Sequence, residues 1–260
     1  MNNNLPIGVF DSGIGGLNVL DDLVKAFPNE NFLYLGDTLR SPYGIKAKKE
    51  LHDVVESDIR YFERKNVKGI VIACNTATAN SYDIKSNIPI IRIIEPTSKI
   101  AIKENAKFNK RNKIVVCATN YTISSLAYDA FLKNEMIGVP CSEWVVSIEN
   151  GEMGTKKALD LVKEKLLSFK DMVDVVVLGC THFALFRKEI IEVLGDKVVL
   201  VDSATSLKQS VKELLDKCGY NKGMGKVDIT FTGELKKLKL DAFKNSNLDF
   251  SKIKKVNIED

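Results

Sequence analysis

Residues 69–79 read GIVIACNTATA, an apolar, β-branched run that stops at Cys74 and gives way to Asn, Thr and Ala. Residues 175–184 read VVVLGCTHFA and repeat the construction, with Cys180 at the break and Thr and His behind it. Short apolar runs of this kind suit strands buried on both faces, and the small polar residues behind them suit loops leading into helices. The same sequence of run and loop occurs at Ile7–Phe10 before Asp11-Ser12-Gly13, and at Asn31–Leu35 before Gly36-Asp37-Thr38. It occurs once more at Lys113–Cys117 before Ala118-Thr119-Asn120. Helical spacing fills the gaps, as in Leu17, Leu20, Leu23 and Val24, and in Leu51, Val54, Val55, Ile59 and Phe62.

Strands alternating with helices predict an α/β chain with mainly parallel sheets. The distance from Cys74 to Cys180 is about the size of a small domain. Two similar lobes follow, each a parallel sheet flanked by helices, with a cleft between them. Pro89 and Pro96 bracket the short strand IIRII, which marks one crossing between lobes, and a second crossing follows Asp202-Ser203. The run Val227–Thr232 reads as a late strand returning to the first lobe, ended by Gly233. The boundaries are therefore 1–95 with 206–260 for the first lobe, and 96–205 for the second.

Composition narrows the function. The net charge of +4 comes from 38 basic and 34 acidic residues, with Lys-rich stretches at Lys46–Lys49 and Lys236–Lys239. Such runs read as solvated faces, and no nucleic-acid partner is expected. No apolar stretch reaches membrane-spanning length and the amino-terminal MNNNLPIGVF has no secretory pattern, so a cytoplasmic protein without membrane contact is expected. Five cysteines at 74, 117, 141, 180 and 218, without a C-x-x-C pair or histidine cluster, argue against a disulfide framework or a metal site. Cys117, Cys141 and Cys218 read as packing residues.

Cys74 and Cys180 differ from these three because each is expected at a strand end entering a helix. There, helix N–H groups and the dipole favour a thiolate. The loop at 11–16 carries Asp11, Ser12 and glycines, but GIGGLN has Asn18 where a dinucleotide fingerprint needs its third glycine. Its amides suit a carboxylate instead. His182, two residues after Cys180, is placed to relay or tune a proton, whereas His52 lies in a charged helix.

Taken together, GVFDSGIGGL at 8–17, GDTLRSPYG at 36–44, ACNTATA at 73–79 and LGCTHF at 178–183 resemble the glutamate racemases of the aspartate/glutamate racemase superfamily. The resemblance spans nearly the whole chain in order. It implies a cofactor-independent, pyridoxal-free isomerase that interconverts L- and D-glutamate for peptidoglycan and cell-wall synthesis, acting as a homodimer. Cys74 would handle the proton of D-glutamate and Cys180 that of L-glutamate. Asp11 would assist Cys74, and His182 with Glu149 would assist Cys180, with Asp37 a further catalytic acid. Asp11, Ser12, Pro42, Tyr43, Gly44, Asn75, Thr76, Thr119, Thr181 and His182 would line the substrate pocket. Two departures stand out: Ala118 replaces a glycine of the family, and either Glu149 or Glu152 can hold the assisting position. The aspartate racemases resemble Cys-Thr-Glu at the second cysteine, so Cys-Thr-His at 180–182 favours glutamate.

Overall fold

A computed structural model describes residues 4–108 and 112–259. Strands β1 (Ile7–Asp11), β2 (Phe32–Gly36), β3 (Gly69–Ile72) and β4 (Ile90–Arg92) form one sheet, joined by the late strands β9 (Val227–Phe231) and β10 (Lys254–Lys255). Strands β5 (Ile114–Ala118), β6 (Met136–Pro140), β7 (Val175–Gly179) and β8 (Val199–Asp202) form the other. Every pairing is parallel, and the orders are β10-β9-β2-β1-β3-β4 and β6-β5-β7-β8. Within β1–β4 and within β5–β8 the order is the same, second-first-third-fourth. The likeness between the two cysteine segments thus extends to topology, because each cysteine follows the third strand of its unit.

Alternation along the strands divides the core. Ile7 and Val9 of β1 share a buried cluster with Ile114, Val116, Val175 and Val177 of the second sheet. The helices Ile94–Asn105 and Ser203–Cys218 fill the space between through Ala101, Leu207, Val211 and Leu215, so one core runs through both lobes. On the outer faces, Phe10, Leu35 and Ile72 pack under the helix Lys48–Arg64, while Val115, Cys117 and Leu178 pack against Trp144, Phe183 and Phe186.

The region around Pro96 departs from the sequence reading. The IIRII strand stops at Arg92, and Pro96 lies in the first turn of the helix Ile94–Asn105. A first-turn residue has no intrahelical acceptor for an N–H, so proline there starts a helix instead of closing a strand.

The carboxyl-terminal return is fastened by a buried ion pair. Lys68 Nζ lies 2.5 Å from Glu30 Oε2, with both side chains under 5% exposed. The other Glu30 oxygen accepts the Asn221 amide at 2.8 Å, and Lys68 donates to the Gly219 carbonyl at 3.2 Å. Removing one partner leaves a buried charge uncompensated. Lys68→Met is expected to lower unfolding free energy by about 3 kcal/mol, measured by urea denaturation.

Candidate active site

The cleft collects the carboxyl ends of β1, β3, β5 and β7, which flank the point in each sheet where the chain changes direction. Cys74 follows β3 and caps the five-residue helix Asn75–Ala79, its sulfur accepting the Ala77 amide at 3.5 Å. Ser12 Oγ lies 3.6 Å from the same sulfur. Cys180 is placed differently from the sequence reading. It precedes a 3₁₀ turn, Phe183–Phe186, and the next α-helix begins only at Arg187, so helix N–H groups do not reach it. Its neighbour is His182, with Nδ1 3.8 Å from Sγ.

Several bonds cross the cleft. Asp11 Oδ2 accepts the Thr181 hydroxyl at 3.1 Å, and Oδ1 accepts the Gly13 amide at 3.0 Å. Tyr128 donates to Asn75 Oδ1 at 2.8 Å, and Thr76 Oγ1 lies 2.9 Å from Thr119 Oγ1. Thr122, unremarked in the sequence reading, completes a hydroxyl triangle 2.9 Å from Thr119 and 3.3 Å from Thr76. A threonine three residues after a helix-capping threonine is the available signal, since Thr119 accepts the Thr122 amide.

Gly15 lies tight against the loop of the opposite lobe. A Cβ built there would stand 2.5 Å from Thr181 Oγ1 and 2.6 Å from His182 Nδ1. A cavity of about 370 Å³ opens at the cleft mouth, lined by Gly13, Ile14, Ser41, Pro42, Glu149 and Asn150 among others. Gly44 faces Thr119, to which an added Cβ would come within 3.7 Å.

Glu149 is brought to the site and Glu152 is not. Glu149 Oε1 lies 3.3 Å from His182 Nε2, within ion-pair range. Glu152 instead accepts from Ser147 and pairs with Lys157. Asp37 sits behind the Pro42–Gly44 loop rather than beside the thiols, with Oδ1 accepting from Thr232 and Oδ2 from Arg40 and Tyr43. The Tyr43 hydroxyl is committed there and also meets Asp58. Asp58 was legible as an anomaly: it falls on the apolar stripe of its helix, between Val55 and Ile59.

Electrostatics correct one expectation. Burial, reinforced by the charge of Asp11, pushes the Cys74 thiol up to about 12, despite the helix N–H it accepts. Desolvation outweighs the short helix. The charge of Cys180 also raises it, so the two sulfurs are near enough to sense each other. Burial likewise opposes a charged His182, but its hydrogen bond to Cys180 and the attraction of Glu149 and Asp11 lift the ring to about 10. A cationic imidazolium therefore faces Cys180. Burial raises Asp11 as well, opposed by His182 and by bonds from Gly13, Thr181 and Gly16.

Cys117 and Cys141 are fully buried in the second lobe and Cys218 is half-buried near the end of its helix. Among the described residues no group of three or more His, Cys, Asp or Glu side chains is arranged to hold a metal ion. No helix among them is long and apolar enough to cross a membrane.

The Asp/Glu/Hydantoin racemase family model matches residues 20–211. A glutamate racemase of Clostridium botulinum is 34% identical over 223 residues, spanning 82% of this chain and 84% of the relative. One from Lysinibacillus sphaericus is 37% identical over 221 residues, spanning 82% of each. The crystal structure of the Francisella tularensis glutamate racemase with D-glutamate superposes with a TM-score of 0.86 at 30% identity, covering 99% of both chains.

Two outcomes follow from the geometry. Alkylation of Cys74 in the ligand-free protein, followed by mass spectrometry, should rise about tenfold per pH unit from pH 7 to 10 without a plateau. Gly15→Ala should drive Thr181 and His182 back and lower kcat/KM for the catalysed reaction by about 100-fold, measured by steady-state kinetics.

Proposed function

The chain belongs to the Asp/Glu/Hydantoin racemase family, among its glutamate racemases, and from that premise we propose that it interconverts L- and D-glutamate with two cysteines and no cofactor. The observation that carries the reading is the pair of thiols on corresponding strand ends of the two lobes, near enough for the charge of one to act on the other. Inverting an α-carbon needs a base on one face and an acid on the other, which a single side chain cannot supply.

In the L-to-D direction, Cys180 as thiolate takes the α-proton of L-glutamate, and Cys74, protonated in the resting protein, delivers its own to the opposite face. D-Glutamate leaves with Cys180 protonated and Cys74 ionised, and the reverse direction exchanges the roles. His182, held cationic, supports charge at Cys180, with Glu149 acting through His182. Asp11 bridges the Cys74 side to Thr181. Negative charge developing on the substrate carboxylate is met by donors already fixed in place: Ser12, Asn75, Thr76, Thr119, Thr181 and the backbone amides of Tyr43 and Gly44, with Pro42 shaping their loop. Asp37 positions that last loop. Supply of D-glutamate for peptidoglycan, a homodimer and a cytoplasmic setting complete the reading. Cys-Thr-His at 180–182 favours glutamate over aspartate.

Circular dichroism with L-glutamate and L-aspartate tests the reaction, and the expected result is loss of optical activity with glutamate alone. Deuterium should enter the α-carbon from solvent. Cys74→Ser and Cys180→Ser should each reduce racemisation by about 10³-fold with unchanged far-ultraviolet spectra. An active Cys180→Ser protein would remove that residue from the pair.

A further inference from the structure

Behind the Pro42–Gly44 loop, the Tyr43 hydroxyl oxygen lies 2.5 Å from Asp37 Oδ2 and 2.7 Å from Asp58 Oδ2. A phenol carries one proton, so two such contacts between oxygens need a second proton on a carboxyl. Asp37 already accepts at both oxygens, from Thr232 on one and from Arg40 Nε at 2.7 Å on the other. Asp58 accepts from Arg40 through Oδ1 only, leaving Oδ2 to carry the proton and donate it to Tyr43.

We infer that Asp58 is held as the neutral acid and is a positioning residue which, through Tyr43, fixes the Pro42–Gly44 loop for substrate. The chain of donors then runs from Asp58 to Tyr43 to Asp37. Arg40 and Asp37 balance in charge, and the buried cluster is neutral as a whole. Burial, followed by the charge of Asp37, pushes Asp58 well above the usual carboxylate range, and Arg40 and Tyr43 do not reverse this. Asp37, Arg40 and Tyr43 are the charged and titratable side chains that act most strongly on it. The protonation state stands on geometry alone, while the role toward substrate rests on the proposed racemase activity.

Infrared spectroscopy should show a carboxylic-acid carbonyl band at neutral pH that disappears in Asp58→Asn; absence of that band from the wild-type protein would overturn the neutral acid. The sign of the linkage gives a second readout. An acid with a raised folded pKa loses stability as pH climbs above its unfolded value of 3.8, and the asparagine variant has no such loss. The melting temperature of Asp58→Asn minus that of wild type should therefore move in the positive direction from pH 4 to pH 9, and a constant difference contradicts the proposal. In kinetics, Asp58→Asn should keep KM for glutamate within about twofold, and Asp58→Leu should raise it about tenfold with less effect on kcat. Should Asp58→Leu fail to fold, Tyr43→Phe should give the same rise. An unchanged KM in the variant that folds refutes the positioning role. If no racemisation is seen in any variant, the infrared and melting results still decide the protonation state.

Discussion

Asp11 is fully buried at the end of the central strand of the first sheet, yet both of its oxygens are in use. One takes the amide of Gly13 in its own loop, and the other takes the hydroxyl of Thr181 from the opposite lobe. A buried carboxyl without partners is strongly disfavoured, so these bonds dictate how the two loops meet. Tyr34 supports the arrangement by donating to the Gly13 carbonyl at 2.6 Å. Gly16 has no space for a Cβ, which would fall 2.4 Å from the Asp11 side chain. The cleft is thus closed around one carboxyl.

Burial disfavours charge on both sides of the cleft, and the neighbours decide the outcome. At Cys74 burial favours the neutral form, and the carboxyl of Asp11 adds to that preference. On the other side a histidine is interposed, and its neighbours outweigh burial to keep it charged. The asymmetry comes from supporting residues rather than from the cysteines, since both occupy equivalent strand ends.

Much of this was readable beforehand. Continuous apolar runs and their polar breaks located β1, β2, β3, β5 and β7, because a strand buried on both faces leaves an apolar block, and the run Val227–Thr232 located β9. Strands β6 and β10 are mostly half-buried or exposed and carry no such block, while β8, whose region does hold the run Val198–Val201, lies at the sheet edge with Val201 alone buried in the strand. Motif order pointed to Asp11, Asn75, Thr76, Thr119 and Thr181, which bonds across the cleft bring together. It could not place Asp37, whose role depends on Arg40 and Tyr43 from its own loop region, on Asp58 from the following helix and on Thr232, which follows β9 far along the chain. Nor could it weigh a short helix against desolvation at Cys74, which needs the packed surroundings. Glu149 and Glu152 are three residues apart and chemically alike, and only the tertiary position of His182 separates them.

The insertion of β9 beside β2 sets an order on the birth of the molecule. All four strands of the second sheet lie within residues 114–202, whereas the first sheet stays incomplete until 227–255 have been made. On a ribosome the second lobe therefore has its full set of strands while β2 still presents an open edge. Thr232, which bonds Asp37 and the Leu39 amide, arrives with the last strands. The loop carrying Tyr43 is thus secured only after β9 has been made, and a nascent chain halted before β9 holds both cysteines without a finished cleft.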